Sequence, residues 1–582
     1  AAKELIQESF SGGFHASLKV DYRLWDFLKA SNQLSYQFGS TTNGYFDNQV
    51  VRNGPSKDVE GSKTVSNNNS IRNTTMLAFD KEWAGHHVQA TGVYEVYKSV
   101  YNSVYGSSTG IPVKMGYQGI GFGTRFAAPG SDYGKSASQS VMGRVNYSYE
   151  NRYMLSGSVR YDGASQLAEG HKFDTFWAVS AGWNLMQEKF MEPVKPVLSE
   201  FKLRASYGTV GNAAVPSYSS LLLLNSNYDS ENDQLILGIK QVANSDLRWE
   251  RTREFNAGFD ATLWEGRLVL TVEYYDKKTT DLLREKYLPL SSSYDKIWVN
   301  DGEVTNKGFE VSLEGDIVHT RDWSFSATFI YSMNRNKVVS LGDAISSGLS
   351  QDYLTGMYYE VTGQPVSMFN QNASIYAVGH PMNVFYGYRV DGIIQEGQDP
   401  GFIDPDGLKD RPGELKYVDL TGDYAITPED RCIIGDPNPD FTASLNLSLR
   451  WKNLDLSVFL YGVYGNDVLY NNYTFSPRVK AKRWTPDNPT NDFPRLNNAR
   501  QYWLSDYFLQ DGSFLRIQNI TLGYNLHFNR RFLKGMRIYA NIDNVHTFSK
   551  FDGYDPEVGL DGIYWGGYPK LRKYTVGIDL NF

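Results

Sequence analysis

The chain ends in KYTVGIDLNF, residues 573 to 582, and this decapeptide decides how everything before it is read. Tyr574, Val576, Ile578, Leu580 and Phe582 occupy alternate positions and are apolar, while Thr575, Gly577, Asp579 and Asn581 between them are small or polar. Successive side chains of a strand point to opposite faces, so this is a strand with one greasy and one wet face.

Working outward, the pattern recurs. Phe14, Ala16, Leu18, Val20 and Tyr22 alternate with His15, Ser17, Lys19 and Asp21. Val141 to Tyr149, Tyr153 to Tyr161, Phe255 to Leu263, Leu268 to Tyr274 and Phe309 to Ile317 do the same. So do Phe441, Ala443, Leu445, Leu447, Leu449 and Trp451 against Thr442, Ser444, Asn446, Ser448 and Arg450. The spacing predicts strands of about 9 to 12 residues, the length of a tilted strand crossing a bilayer and longer than the usual strand of a soluble sheet. No run of about 18 consecutive apolar residues occurs, and mean hydropathy is -0.44. Transmembrane helices are therefore excluded, and a membrane role must come from strands.

The connections alternate in length. Short ones are LWDF (24–27), WAGH (83–86), ENR (150–152), WEGR (264–267), HTRD (319–322) and KN (452–453). Long ones cover roughly 46–72, 98–136, 209–250, 279–305, 337–439, 465–512 and 545–568. Outer-membrane barrels have short periplasmic turns and long extracellular loops, and a soluble sandwich has no reason to place every long loop at one end. The expected fold is all-β: a transmembrane antiparallel β-barrel whose strands close on one another because bilayer-spanning backbone must be fully hydrogen-bonded. Phe582 then lies at the periplasmic rim, where aromatics form the interfacial girdle and a terminal Phe fits a barrel-assembly signal.

About 17 strands are counted, an odd number, whereas bacterial single-chain barrels have even numbers. Walking back from Phe582 places residues 1–13 in an outer loop. No basic n-region or apolar h-region is visible in AAKELIQESF. Residues 1–582 are accordingly expected to be the C-terminal part of an outer-membrane barrel, with 337–439 a long extracellular loop region within it. A plugged barrel of 22 strands would leave about five strands and the plug on another piece.

LRASYGTVGN (203–212), VRYDGASQL (159–167), FYGYRVDGI (385–393), DLTGDYAITPEDRCIIGDPNPDF (419–441), DLSVFLYGVYGNDV (455–468) and the terminal RKYTVGIDLNF resemble the SusC-like, or RagA-like, TonB-dependent outer-membrane transporters of Bacteroidetes. The resemblance covers nearly the whole chain in order. It implies a 22-stranded barrel with an N-terminal plug, a SusD-like surface lipoprotein as lid, and TonB-driven import of oligosaccharides, or in some members oligopeptides. Expected partners are that lipoprotein, TonB, the plug-bearing portion of the transporter, other surface glycan-binding lipoproteins or hydrolases, and the bilayer. On this resemblance the plug, the TonB box and the first strands are expected to lie outside residues 1–582.

DLTGDYAITPED places Asp419, Thr421, Asp423, the carbonyl of Ala425, Thr427 and Asp430 at positions 1, 3, 5, 7, 9 and 12 of an EF-hand-like loop, which turns such oxygens toward one hard cation. Tyr424 stands where the turn wants Gly, and Asp430 is shorter than the usual bidentate Glu. Two readings stay open: a structural calcium site in an extracellular loop, or a turn held by its own Asx hydrogen bonds. No cofactor is otherwise required.

Tyr470, Tyr473, Trp484, Tyr502, Trp503, Tyr564 and Trp565 fall in outer loops, where flat rings suit stacking on sugars; loop packing or contact with a lid protein is the alternative. Phe385, Tyr386, Gly387 and Tyr388 match the family's pattern, with a structural role at the rim as the default. The inward polar positions Glu310, Glu314 and Asp316 solvate a lumen or meet a plug.

No catalytic constellation emerges, so no enzyme is expected: His86 and His87 lack metal-ligand neighbours, and no GxSxG or P-loop occurs in a strand-to-helix context. The net charge of -8 without basic clusters argues against nucleic acid. One cysteine, Cys432, permits no intramolecular disulfide. The expected activity is active import of oligosaccharides through an outer-membrane barrel of a Gram-negative bacterium. Alternatives are an oligopeptide importer, a passive porin, or a surface-binding protein anchored by its barrel.

Overall fold

In the computed structural model, residues 5–48, 58–229, 234–288, 296–342, 349–402, 411–470, 482–495, 502–528 and 532–582 are described. The chain divides into two compact units: Ala1–Ala181, Tyr207–Thr252 and Asp281–Asn300 form the first, and Gly182–Ser206, Arg253–Thr280 and Asp301–Phe582 the second.

The first unit carries an antiparallel meander of Leu5–Trp25, Leu28–Asn48, Val59–Trp83, His86–Thr109, Gly130–Tyr149 and Tyr153–Ala164. Directly paired residues share a face, and the register keeps apolar opposite apolar: Phe14 faces Phe38, Leu18 faces Leu34, and Tyr94 faces Val141, which faces Tyr161. The short turns are built from residues at positive φ, Ala84 and Gly85 at one, Glu150 and Asn151 at another. Consecutive left-handed residues give the turn whose twist matches the flanking strands.

Two expectations are corrected here. Strands of 21 to 25 residues replace the anticipated 9 to 12, so much of 46–72 and 98–136 is strand rather than loop. Residues 5–13 are likewise strand, paired from Leu5↔Asp47 onward, and not part of an outer loop. At roughly 3.3 Å per residue such strands reach about 70 Å, well past a hydrocarbon core of about 30 Å. Side-chain alternation reports only the stretch in contact with lipid. Beyond it both faces meet water, and amides and hydroxyls take over, as where Asn67 Nδ2 donates to Asn102 and Ser99 Oγ to Asn68. Pairing continues after the hydropathy signal stops.

The second unit carries the meander Leu268–Thr280, Glu303–His319, Trp323–Ser340, Phe441–Trp451, Leu454–Tyr464, Phe514–His527, Gly535–Ser549 and Lys573–Asn581. One row of apolar outward residues spans its first six strands: Leu270, Leu313, Phe329, Leu445, Leu460 and Ile517 are paired in succession. At the turn end Trp323 stacks on Trp451 with ring centroids 5.6 Å apart, the kind of aromatic placement a membrane interface favours.

The opposite face carries polar networks. Asp455 accepts from Arg537 Nη2 at 2.7 Å and Asn525 Nδ2 at 2.6 Å, Asn519 donates to Asp543 at 2.7 Å, and Arg204 reaches both Asp260 and Glu273. Half-exposed pairs of this kind contribute only about 0–1 kcal/mol each. Their consequence is a wet, hydroxyl-, amide- and charge-lined surface rather than stability, which rests on the backbone ladders.

Candidate functional site: the folded loop layer

At the end opposite the turns, the long connections of the second unit do not run free. Within the stretch expected as one long loop, Ser350–Gln351, Tyr358–Val366, Gln371–Ala377, Val384–Gly387 and Cys432–Gly435 form a five-stranded sheet, and Val390–Ile393 pairs with Leu415–Tyr417. Asp467–Tyr470, Leu509–Asp511 and Ile563–Tyr564 make a third small sheet. These pieces share a hydrophobic core in which Phe385, Phe508, Leu504, Leu469, Ile393 and Ile426 are almost wholly buried. At about 1.5–3 kcal/mol per buried large side chain, that core is enough to hold the connections as a folded layer.

FYGY, residues 385–388, is the element that organises it. Phe385 points into the main core and Tyr386 into a second cluster with Ile375 and Val384, as strand alternation requires. A Cβ on Gly387 would lie 2.5 Å from the carbonyl oxygen of Leu504, so only glycine fits. Tyr388 packs against Trp503, centroids 5.3 Å apart, and Arg431 lies over its ring. Tyr386 Oη donates to Asp352 Oδ2 at 2.6 Å in a buried setting. Burial, then the hydrogen bond to Asp352, push the Tyr386 phenol far above its ordinary range. The default structural reading of the tetrad acquires a reason at each position, which the sequence alone did not supply.

The aromatic candidates separate. Trp484 is buried, its Nε1 donating to Gln395 at 2.9 Å, and Tyr564 is buried beside Phe551 and half-buried Tyr470. Trp503 and Tyr502 are half-buried against the main core, Trp503 also meeting Tyr417 at 4.9 Å. Trp565 remains 49% exposed, its indole anchored on Asp561. Tyr473 lies outside the described residues. Packing therefore occupies most of these rings, and Trp565 presents the free face.

The motif 419–430 folds as a self-bonded turn. Asp430 is fully buried; its Oδ1 accepts from the N–H groups of Leu420 and Thr421 and from Thr421 Oγ1, and its Oδ2 from the N–H of Thr427 at 2.7 Å. Thr427 Oγ1 accepts from Glu429 N, completing a capping box on the short helical turn Pro428–Asp430. Asp419 accepts from Gly422 N at 2.6 Å and Tyr424 N at 2.7 Å, and Asp423 from Ala425 N. Burial lifts the Asp419 carboxyl, yet those N–H donors and the Thr421 hydroxyl outweigh it and hold it below its ordinary value. Tyr424 takes φ +64°, the left-handed conformation that glycine would have met more cheaply. The Asp419, Asp423 and Asp430 carboxylates thus each accept backbone N–H groups of the same turn, and among the described residues no three His, Cys, Asp or Glu side chains are grouped to hold a metal.

One further anchor had no sequence signal. Arg516, 2% exposed, donates to Asp555 Oδ1 at 2.5 Å and to Glu557, which Lys570 also meets. Burial alone would raise the Glu557 carboxyl; Lys570 and Arg516 together hold it below its ordinary value. This network pins the connection 550–572 to strand Phe514–His527.

Comparison with known proteins places this geometry. A family model described as TonB dependent receptor-like, beta-barrel, matches residues 7–545. TonB-dependent receptor P3 of Formosa agariphila is 30% identical over 609 aligned residues, covering 100% of this chain and 59% of that protein. TonB-dependent receptor SusC of Bacteroides thetaiotaomicron is 29% identical over 461 residues, covering 76% of this chain and 43% of that protein. A solved structure titled as the RagAB peptide transporter superposes over 100% of this chain and 63% of that one, with a TM-score of 0.84 at 23% identity. The chain thus spans between about two fifths and three fifths of the length of these curated relatives.

Proposed function

Since the chain belongs to the TonB-dependent receptor-like β-barrel family, and within it to the SusC-like transporters of the Gram-negative outer membrane, we propose that it supplies the wall and outer loop layer of an importer that takes up oligosaccharides. On this reading the intact barrel has 22 strands and an N-terminal plug, a SusD-like lipoprotein covers the loop layer, and TonB powers passage. The chain's own part is structural and selective, with no bond-making chemistry.

The observation that carries the reading is the division of the second unit's sheet into a six-strand apolar row on one face and linked Asn, Thr, Arg and carboxylate groups on the other. A surface of that kind exchanges hydrogen bonds with a polyhydroxy solute without requiring a complementary net charge. The folded loop layer supports selection at the mouth, because Ile563 anchors its segment in the packed core and Asp561 fixes the Trp565 indole beside it.

The test is uptake of fluorescent oligosaccharides and of oligopeptides of matched size by cells that carry the intact transporter, with and without the inner-membrane energy source. Energy-dependent entry of the saccharides supports the proposal. Energy-dependent entry of peptides alone moves the assignment to an oligopeptide importer, and energy-independent entry makes the barrel a passive pore.

A further inference from the structure

The outer loop end of the apolar face contains a gap. On strands Phe441–Trp451 and Leu454–Tyr464, Ala443 and Gly462 are paired directly opposite one another and lie on the face that carries Leu445, Leu447, Leu456 and Leu460. Register thus sets the two smallest outward residues side by side, between the stacked pair Phe441 and Tyr464, centroids 5.2 Å apart, and the pair Leu445 and Leu460. Further along the same row Gly462 faces Leu515, which faces Phe548. Tyr464, Leu515 and Phe548 are 55%, 47% and 53% exposed, so they wall a notch of about 570 Å³.

The notch is greasy at its floor and polar at its mouth. Ser513 and Ser549 are joined by a hydrogen bond from Ser549 Oγ to the Ser513 carbonyl oxygen, and Lys550, just past the end of its strand, also lines the notch. Asp511 also lines the mouth, with its Oδ1 accepting from Ser513 N. An apolar slot whose mouth offers the Lys550 ammonium, two serine hydroxyls and the Asp511 carboxylate, the last already accepting from Ser513 N, matches the two parts of a membrane lipid. We infer that this notch holds the acyl chain of an outer-leaflet lipid whose phosphate head group pairs with Lys550. A flexible chain fills the gap left by Ala443 and Gly462 and regains the dispersion contacts an unfilled gap forfeits. The phosphate gains a charge-assisted partner at the level where the hydrocarbon gives way to head groups.

The test uses the intact transporter in lipid nanodiscs made from equal parts of phosphatidylglycerol and a neutral galactosyl diacylglycerol with the same acyl chains, followed by stepwise detergent exchange and native mass spectrometry. The wild type is expected to retain one phosphatidylglycerol after the bulk lipid is removed. Ala443→Leu, which fills the slot from its lipid side, is expected to lower that retention at least fivefold, and Lys550→Glu to abolish the preference for the phosphate lipid. Ile578→Leu, on the same face but away from the notch, serves as folding and handling control and should match the wild type. Equal retention by wild type and Ala443→Leu, or retention indifferent to the phosphate, means an ordinary lipid annulus and overturns the inference, and it does so whatever substrate the transporter carries.

Discussion

Tyr386 donates a 2.6 Å hydrogen bond to Asp352 while both are almost wholly buried, 7% and 2% exposed. The bond joins the segment after Ser350–Gln351 to strand Val384–Gly387, with Thr355 N filling the other carboxylate oxygen. Tyr386→Phe leaves Asp352 Oδ2 without that donor, and an unsatisfied buried acceptor costs about 1–3 kcal/mol. Hydrogen exchange in residues 349–402 should rise by a corresponding one to two orders of magnitude, while the wall strands keep their protection.

The same pair predicts an alkaline limit. The phenol's folded pKa is raised by burial and by Asp352, so its contribution is complete below the unfolded tyrosine value of about 10 and falls away as pH climbs above it. Tyr470 and Tyr502, also raised by burial, act in the same direction. Loop-layer protease resistance measured from pH 8 to 11.5 should decline from about pH 10, and Tyr386→Phe should make the decline shallower.

Gly387→Ala places a methyl against the Leu504 carbonyl, a backbone atom that has no rotamer to yield. Strand Val384–Gly387 must then shift away from the 502–508 segment that donates Trp503 and Phe508 to the core. The expected outcome is increased cleavage between residues 482 and 511 in limited proteolysis. A variant as resistant as the wild type contradicts this packing.

Removing Arg516 leaves Asp555 and Glu557 facing each other with Lys570 as their remaining cation. Deleting one partner of a fully buried ion pair costs about 3–5 kcal/mol, and the loss here falls below that because Glu557 and Lys570 are partly exposed. Arg516→Ala should free residues 550–572 to exchange, with the neighbouring strand ladder intact, and Arg516→Ala combined with Glu557→Gln should recover part of the loss.

In the turn 419–430, Asp430→Ala removes acceptors for three N–H groups and the capping box, and should sensitise the turn to protease. Chelator added to the wild type should leave the cleavage rate unchanged, and added calcium should not rescue Asp430→Ala. A chelator-sensitive wild type would restore the cation reading.

Trp565 and Trp484 should differ in kind. Trp565→Ala removes an exposed ring and is expected to raise the half-saturating oligosaccharide concentration severalfold while transporter abundance holds. Trp484→Ala opens a cavity in the loop core at a cost of about 3–5 kcal/mol, and is expected to lower abundance first.

What the sequence determined by itself was the wall. Alternation in KYTVGIDLNF and in Phe441–Trp451 is a period-2 signal carried within ten residues, because bilayer and water impose opposite demands on the two faces of a single strand. Short turns were equally legible, being local in φ and in length.

Only the tertiary structure decided the rest. Strand ends in the first unit lay beyond the lipid, where pairing no longer leaves a hydropathy trace. The roles of FYGY depended on Asp352, Leu504 and Trp503, up to 117 positions away. The EF-hand spacing is compatible with a cation cage or with a capped turn, and only the structure shows which N–H donors of residues 420–427 its carboxylates accept. The notch exists because cross-strand register sets Ala443 against Gly462. Faces are dictated residue by residue, but which distant side chains share a core or a gap follows from cross-strand register and long-range pairing, which local periodicity does not encode.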